Sequence, residues 1–228
     1  MRTIVIGDIH GCYDELIALL QKCSYNPATD HILAVGDLID RGPKDTEVIQ
    51  FFMADSKRRR SLLGNHEDKH VRLFDGTLSQ KACALSQKIC IQRMGALYPT
   101  AIDYFRTLPL MEHIGDCIVV HAAYDQDSPP DSQYRNVLLR GRKKGEKWDK
   151  NTKKAHWSEQ YRGQKTIVYG HAVFEDIRIV NNTIGLDTGA CHGQYLSAVI
   201  LPERKFVSVK AKADYWTALK QQYSGTEF

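Results

Sequence analysis

Short apolar runs rich in β-branched residues recur along the chain at Thr3 to Ile6, His31 to Val35, Ser61 to Leu63, Cys117 to Val120 and Thr166 to Tyr169. Unbroken runs of this length predict strands packed on both faces, because a strand with one wet face alternates apolar and polar positions. Each run stops on Gly, Asp, Asn or His, so polar residues collect at the carboxyl ends of the strands. Between the runs the spacing becomes helical. Leu16, Ile17, Leu19 and Leu20 recur within Tyr13 to Cys23, Thr46 to Met53 follows the same rule, and Ser79 to Leu108 has room for two helices. Strand and helix in alternation predict an α/β fold. Beyond Tyr169 the pattern changes: Ile177 to Val180, Thr183 to Leu186, Tyr195 to Leu201 and Lys205 to Val209 follow one another with short turns. With no helix between them, they predict antiparallel pairing into a second sheet packed on the first.

The chain of 228 residues is long enough for one substantial core, and no compositional shift forces a boundary, so a single domain over 1–228 is expected. Hydrophobic residues at 43% and charged residues at 25% exclude a disordered chain, and no apolar run approaches the ~18 residues of a spanning helix. Thr3 to Gly7 is too short for a signal-peptide core, which points to a cytoplasmic location. The six cysteines lack CxxC spacing and read as buried thiols. A net charge of +4 is too small to imply nucleic-acid binding but suits an anionic substrate. Much of the positive charge falls in Lys57-Arg58-Arg59-Arg60, read as a solvated edge, and in a basic loop at about 140–163. That loop holds Arg142, Lys143, Lys144, Lys147, Lys150, Lys153 and Lys154, with Trp148 and Trp157 among them, and reads either as a solvated excursion or as a substrate-facing groove.

The strand ends carry the chemistry. Gly7-Asp8-Ile9-His10-Gly11 offers a carboxylate and an imidazole to one ion, and Gly36-Asp37-Leu38-Ile39-Asp40-Arg41-Gly42 adds carboxylates and an arginine. The third run ends in Gly64-Asn65-His66-Glu67, the fourth in His121, the fifth in Gly170-His171. Each residue alone is better read as a hydrogen-bonded core or turn position. Oxygen and imidazole donors at successive strand ends, with glycines where the backbone must turn, instead point to one metal centre.

With these motifs the chain resembles the calcineurin-like metallophosphoesterases, in the branch that holds the bacterial and lambda-phage type Ser/Thr protein phosphatases (the PPP group) and the diadenosine tetraphosphatases. The resemblance runs from Met1 to about Val209 and implies an α/β fold with a central β-sandwich of two mixed sheets flanked by helices, a four-layer arrangement. It implies two divalent ions: Asp8 and His10 on the first, Asp37 bridging, and Asn65, His121 and His171 on the second. Manganese is the favoured ion, with iron or zinc also suited to the donors. Two such ions, about 3.5–4 Å apart, can share a hydroxide as nucleophile, so that no covalent phosphoenzyme is needed. His66 would protonate the leaving alkoxide, Asp40 would orient its ring, and Arg41, with Asn65, would hold phosphate oxygens.

A second phosphate-binding arginine is expected within Leu138-Leu139-Arg140-Gly141-Arg142, where Arg140 is favoured over Arg142. Relatives tend to carry a Trp-Asn-Arg type sequence there, which this chain lacks, and Ala172 follows His171 where Thr or Ser is common. Asp187-Thr188-Gly189-Ala190-Cys191 resembles a further family motif near the site, while His31, His70, His113, His156 and His192 sit in no motif and read as structural or surface residues. The expected activity is phosphomonoester hydrolysis, foremost of phosphoserine or phosphothreonine in proteins. The alternatives are cleavage of bis(5'-nucleosyl) tetraphosphates such as diadenosine tetraphosphate and, further off, an RNA-end phosphatase or a non-catalytic binding module.

Overall fold

In the computed structural model, which describes residues 2–142 and 156–224, two five-stranded sheets face each other. The Lys143 to Lys154 part of the basic loop, with Trp148, lies outside the described residues. The first sheet has the order β10-β9-β1-β2-β3, built from β1 (Thr3–Ile6), β2 (His31–Ala34), β3 (Arg59–Ser61), β9 (Tyr195–Leu201) and β10 (Lys205–Lys210). The second has the order β4-β5-β6-β8-β7, built from β4 (Met111–Ile114), β5 (Cys117–Val120), β6 (Thr166–Tyr169), β7 (Arg178–Val180) and β8 (Thr183–Gly185). Both are mixed: β1, β2 and β3 run parallel, as do β5, β6 and β8, while β9 joins β1 and β4 joins β5 antiparallel.

Side-chain alternation divides the core into layers. Val5, Leu33, Val119, Val168 and Val199 fill the space between the sheets. The alternate residues Ile4, Ile6, Ile32 and Ile200 face outward onto α1 (Tyr13–Lys22), α2 (Asp45–Met53), α4 (Leu85–Met94) and α5 (Tyr98–Thr107), meeting Leu16, Leu19, Val48, Phe52, Cys90, Ile102 and Phe105. On the far side, Ile118, Val120, Ile167 and Tyr169 pack with Leu138 of α6 (Arg135–Arg140), Tyr161 and Trp157 of α7 (Trp157–Gln160). Each large aliphatic side chain removed from water in this way contributes about 1.5–3 kcal/mol, which explains why these strands read as unbroken apolar runs.

The final strands depart from expectation. They do not form a second sheet of their own: β7 and β8 extend the sheet of β5 and β6, with β8 parallel to β6, whereas β9 and β10 complete the sheet of β1. Apolar periodicity reports which face is buried and says nothing of which strand lies alongside. The half-exposed edge strand β4 and the helices α3 (Asn65–Phe74), α6, α7 and α8 (Tyr215–Gln222) carried too weak a pattern to be expected. In α3 the cause is specific, because its buried face is made of His66, Glu67, Asp68, His70 and Leu73. The basic run is held locally rather than merely solvated: on edge strand β3, Arg59 lies over the Phe51 ring at 4.3 Å and Arg60 pairs with Glu112. All six cysteines are buried and unpaired, and no helix among the described residues is long and apolar enough to cross a membrane.

Candidate metal centre

The loops that follow β1, β2 and β6 meet above the parallel strands. His10, Asp37, Asp40, Arg41 and His171 all have positive φ, at 47°, 50°, 73°, 72° and 66°. Left-handed backbone at such residues costs on the order of 1–3 kcal/mol each and persists only where surroundings enforce it. Here buried carboxylates do so. Glu67 accepts the backbone N–H groups of Leu38 at 2.8 Å, Asp37 at 2.9 Å and Gly64 at 3.0 Å, and Asp45 accepts that of Asp40 at 2.7 Å. Two glycines give the space: a Cβ at Gly64 would strike Asp37, and one at Gly170 would strike the Asp8 carboxylate.

Asp37 is the hinge of the site. Its Oδ1 lies 3.5 Å from His121 Nε2, while Oδ2 lies 3.7 Å from His10 Nε2 and 3.9 Å from His66 Nε2. Potential ligand atoms therefore form two tight groups that share Asp37: His10, Asp37 and His66 on one side, Asp37, His121 and His171 on the other. Asn65 Oδ1 joins the second at 2.9 Å from His121 Nε2. Asp8, expected beside His10, falls outside both groups, since its two carboxylate oxygens accept the backbone N–H of His171, each at 3.1 Å. His66, expected only as a proton donor, falls inside the first.

The donor set fits divalent cations. His10 Nδ1 gives its proton to Ile39 O at 2.8 Å, which turns the Nε2 lone pair toward the centre. His121 faces two acceptors, Val35 O at 3.1 Å and Asn65 Oδ1 at 2.9 Å, yet a neutral imidazole has one N–H to give. Burial resists a second proton by holding the His121 pKa below the usual range, so a cation at Nε2 resolves the conflict. Burial, helped by Arg41, also holds His10 well down, and burial with His121 pushes His171 down to about 3, leaving neutral imidazoles as ligands require. Negative charge is crowded too. Burial, then Asp187 and Asp37, raises Asp8 well above the carboxylate range; burial and Asp37 push Glu67 up to about 8. Burial opposes the charged form of Asp37 itself, but His121, His66, His10 and His171 hold its carboxyl low.

The other expected residues gather around these groups. His66 Nδ1 donates to Asp40 Oδ2 at 2.5 Å, and Arg41 spans both faces of the first group, with Nη1 2.9 Å from His10 Nε2 and Nη2 3.1 Å from His66 Nε2. Arg140 ends α6 with Nη2 2.7 Å from Asp68 Oδ2, and its charge reaches His121. Arg142 follows the left-handed Gly141, its backbone N–H bonded to Asn136 O at 3.3 Å. Glu67, Asp68 and Gln87 carry no role in the sequence analysis, and His70, expected as a structural or surface residue, is fully buried beside Asp40. A signal was present for Glu67 and His70: Glu67 stands at the third position of the helix opened by Gly64, where a carboxylate caps backbone N–H groups, and His66 and His70 are spaced to share a face. Asp68 lies on α3 two positions beyond His66 and anchors Arg135 as well as Arg140.

A two-sheet α/β sandwich with oxygen and imidazole donors paired across one carboxylate defines a class, and the sequence agrees: the calcineurin-like phosphoesterase pattern matches residues 1–197. The chain belongs to the calcineurin-like phosphoesterases, a family whose hydrolytic chemistry depends on divalent metal ions. It is 34% identical to the bis(5'-nucleosyl)-tetraphosphatase PrpE [asymmetrical] of Bacillus velezensis, over 94% of this chain and 95% of that one. The crystal structure of a protein assigned as a diadenosine tetraphosphatase superposes with a TM-score of 0.77 at 28% identity, covering 92% of this chain and 93% of that one. A Ser/Thr phosphatase from Saccharomyces cerevisiae shares the fold, with a TM-score of 0.60 at 14% identity over 92% of this chain and 80% of the other.

Proposed function

We propose that this protein is a hydrolase of bis(5'-nucleosyl) tetraphosphates such as diadenosine tetraphosphate, cleaving one phosphoanhydride bond asymmetrically to a nucleoside triphosphate and a nucleoside monophosphate. The observation that carries this reading is the near full-length similarity, at 34% identity, to a relative of that activity. The protein phosphatase reading of the sequence has less support, because likeness at 14% identity speaks for the fold alone.

In this reading two divalent ions, manganese by preference, would be held by His10 and Asp37 on one side and by Asp37, Asn65, His121 and His171 on the other, with Asp8, which here accepts the His171 N–H, as a further ligand of the first. The ions, when bound, neutralise phosphate charge and acidify water at the site. Arg41, half-buried between His10 and His66 and charged at all physiological pH, would offer its two-pronged guanidinium to the phosphate oxygens. Arg140, steadied by Asp68, holds a second phosphate group, with Arg142 as the alternative. His66, oriented by Asp40, gives a proton to the departing phosphate oxygen. The six buried, unpaired thiols suit a reducing compartment.

The test is a rate comparison on manganese-loaded protein between diadenosine tetraphosphate and a phosphoserine peptide, with products separated by chromatography. Unequal nucleotide products and a kcat/KM at least ~10-fold above that of the peptide are expected, a difference of about 1.4 kcal/mol in transition-state stabilisation. Preference for the peptide overturns the proposal, and two equal nucleoside diphosphates overturn its asymmetry.

A further inference from the structure

His66 and His70 leave α3 one turn apart on the same face, and both point at Asp40. Asp40 is fully buried. Its Oδ2 accepts from His66 Nδ1 at 2.5 Å and from Gln87 Nε2 at 2.6 Å; its Oδ1 accepts from His70 Nε2 at 3.1 Å. An ionised carboxylate only accepts, so His70 carries its proton on Nε2, and Nδ1 accepts a hydrogen bond from the Tyr98 hydroxyl at 3.1 Å. The amide of Gln87 is fixed in the same way. Its Oε1 accepts from Lys69 Nζ at 2.9 Å and from the Ala84 N–H at 3.1 Å, which leaves the NH2 group for Asp40.

Neither His70 nor Gln87 reaches the two ligand groups at Asp37. Yet both meet the carboxylate that aims His66. The terminal torsion of an aspartate is soft, so a single hydrogen bond from His66 does not set the plane of the carboxylate. Donors arriving from α3 and α4 on both oxygens do set it. We propose that His70 and Gln87 are positioning residues, which lock the plane of the Asp40 carboxylate and thereby hold the His66 ring with Nε2 turned toward Arg41 and Asp37.

The inference rests on the reading of His66 as the proton donor to the leaving group. A donor held at the correct angle matters most when the leaving group is poor, because a good one departs without a proton. A residue that only supports the core would slow every substrate alike.

The test compares His70→Leu, His70→Gln and Gln87→Leu with the unmodified chain, all loaded with manganese, on phenyl phosphate and p-nitrophenyl phosphate. Leucine fills the space without a donor, and glutamine returns an amide N–H near the position of Nε2. In His70→Leu and Gln87→Leu, kcat on phenyl phosphate is expected to fall about 10-fold or more, with less than ~3-fold loss on p-nitrophenyl phosphate and unchanged metal content. His70→Gln is expected to regain most of the loss. Equal falls on both esters, or none, overturn the proposal. A second readout needs no turnover: in protein with nitrogen-15-labelled histidine, the Nδ1 proton of His66 on Asp40 is expected to shift or broaden in His70→Leu and to return in His70→Gln. An unmoved resonance in His70→Leu overturns the positioning role. Absence of turnover by the unmodified chain on both esters and on diadenosine tetraphosphate overturns the phosphoesterase reading instead, and the resonance still decides the positioning role.

Discussion

The Glu67 carboxylate, in the first turn of α3, holds the backbone of Asp37 in place by accepting its N–H at 2.9 Å, and takes the N–H groups of Leu38 and Gly64 in the same grip. One side chain thus binds the strand end that carries Asp37 to the strand end that carries Asn65.

Glu67→Ala is expected to leave buried N–H groups without an acceptor. Each such group costs about 1–3 kcal/mol, so the loss should reach several kcal/mol, and Glu67→Gln, which keeps one acceptor oxygen, should lose less. For a chain of this size each ~1 kcal/mol corresponds to roughly 2–4 °C in melting temperature. Calorimetry on the three proteins checks the order; an Ala variant as stable as the parent would refute the clamp.

Asp37→Asn and His121→Ala are expected to remove bound metal and activity together, since Asp37 is common to both ligand groups and His121 faces Asn65 across 2.9 Å. Elemental analysis after dialysis measures this directly. Full metal content in Asp37→Asn would count against a shared carboxylate.

Arg140→Ala is expected to lower kcat/KM on diadenosine tetraphosphate by roughly 10-fold or more, the scale of one charge-assisted phosphate contact, whereas Arg142→Ala should have a smaller effect. Steady-state kinetics with both variants decide between the two arginines. The reverse ranking would assign the contact to Arg142.

His156 is expected to make stability depend on pH outside the metal centre. Burial first, and the Arg178 charge second, push its pKa down from 6.5 to about 4. A group with a depressed folded pKa binds more protons when unfolded, so stability is full above about pH 6.5 and falls as pH drops toward 4. Between pH 7 and pH 5 the loss should be on the order of 1 kcal/mol, since solvent at the partly exposed ring screens part of the shift. Urea unfolding of the parent and of His156→Asn, which can still cap Ser158 N–H, isolates this contribution. Parallel pH profiles for the two proteins would exclude it.

Much of this molecule was legible along the chain. The runs at Thr3, His31, Cys117, Thr166 and Tyr195 became strands because unbroken apolar stretches have few ways to hide from water other than between two packed layers. The donors Asp8, His10, Asp37, Asn65, His121 and His171 stood out because strand ends, where side chains escape the core, are where an α/β protein can display polar groups.

Tertiary structure alone decided which strands pair, that Asp8 turns to His171 while His66 turns to Asp37, and that His70 and Gln87 converge on Asp40. The reason is physical. Burial patterns are local and repeat with the period of the element, whereas strand order and hydrogen-bond partners depend on residues distant in sequence, whose meeting leaves no periodic trace. In α3 the two even conflict, since a helix that buries His66, Glu67, Asp68 and His70 reads as a polar segment until the groups that receive those side chains are seen around it.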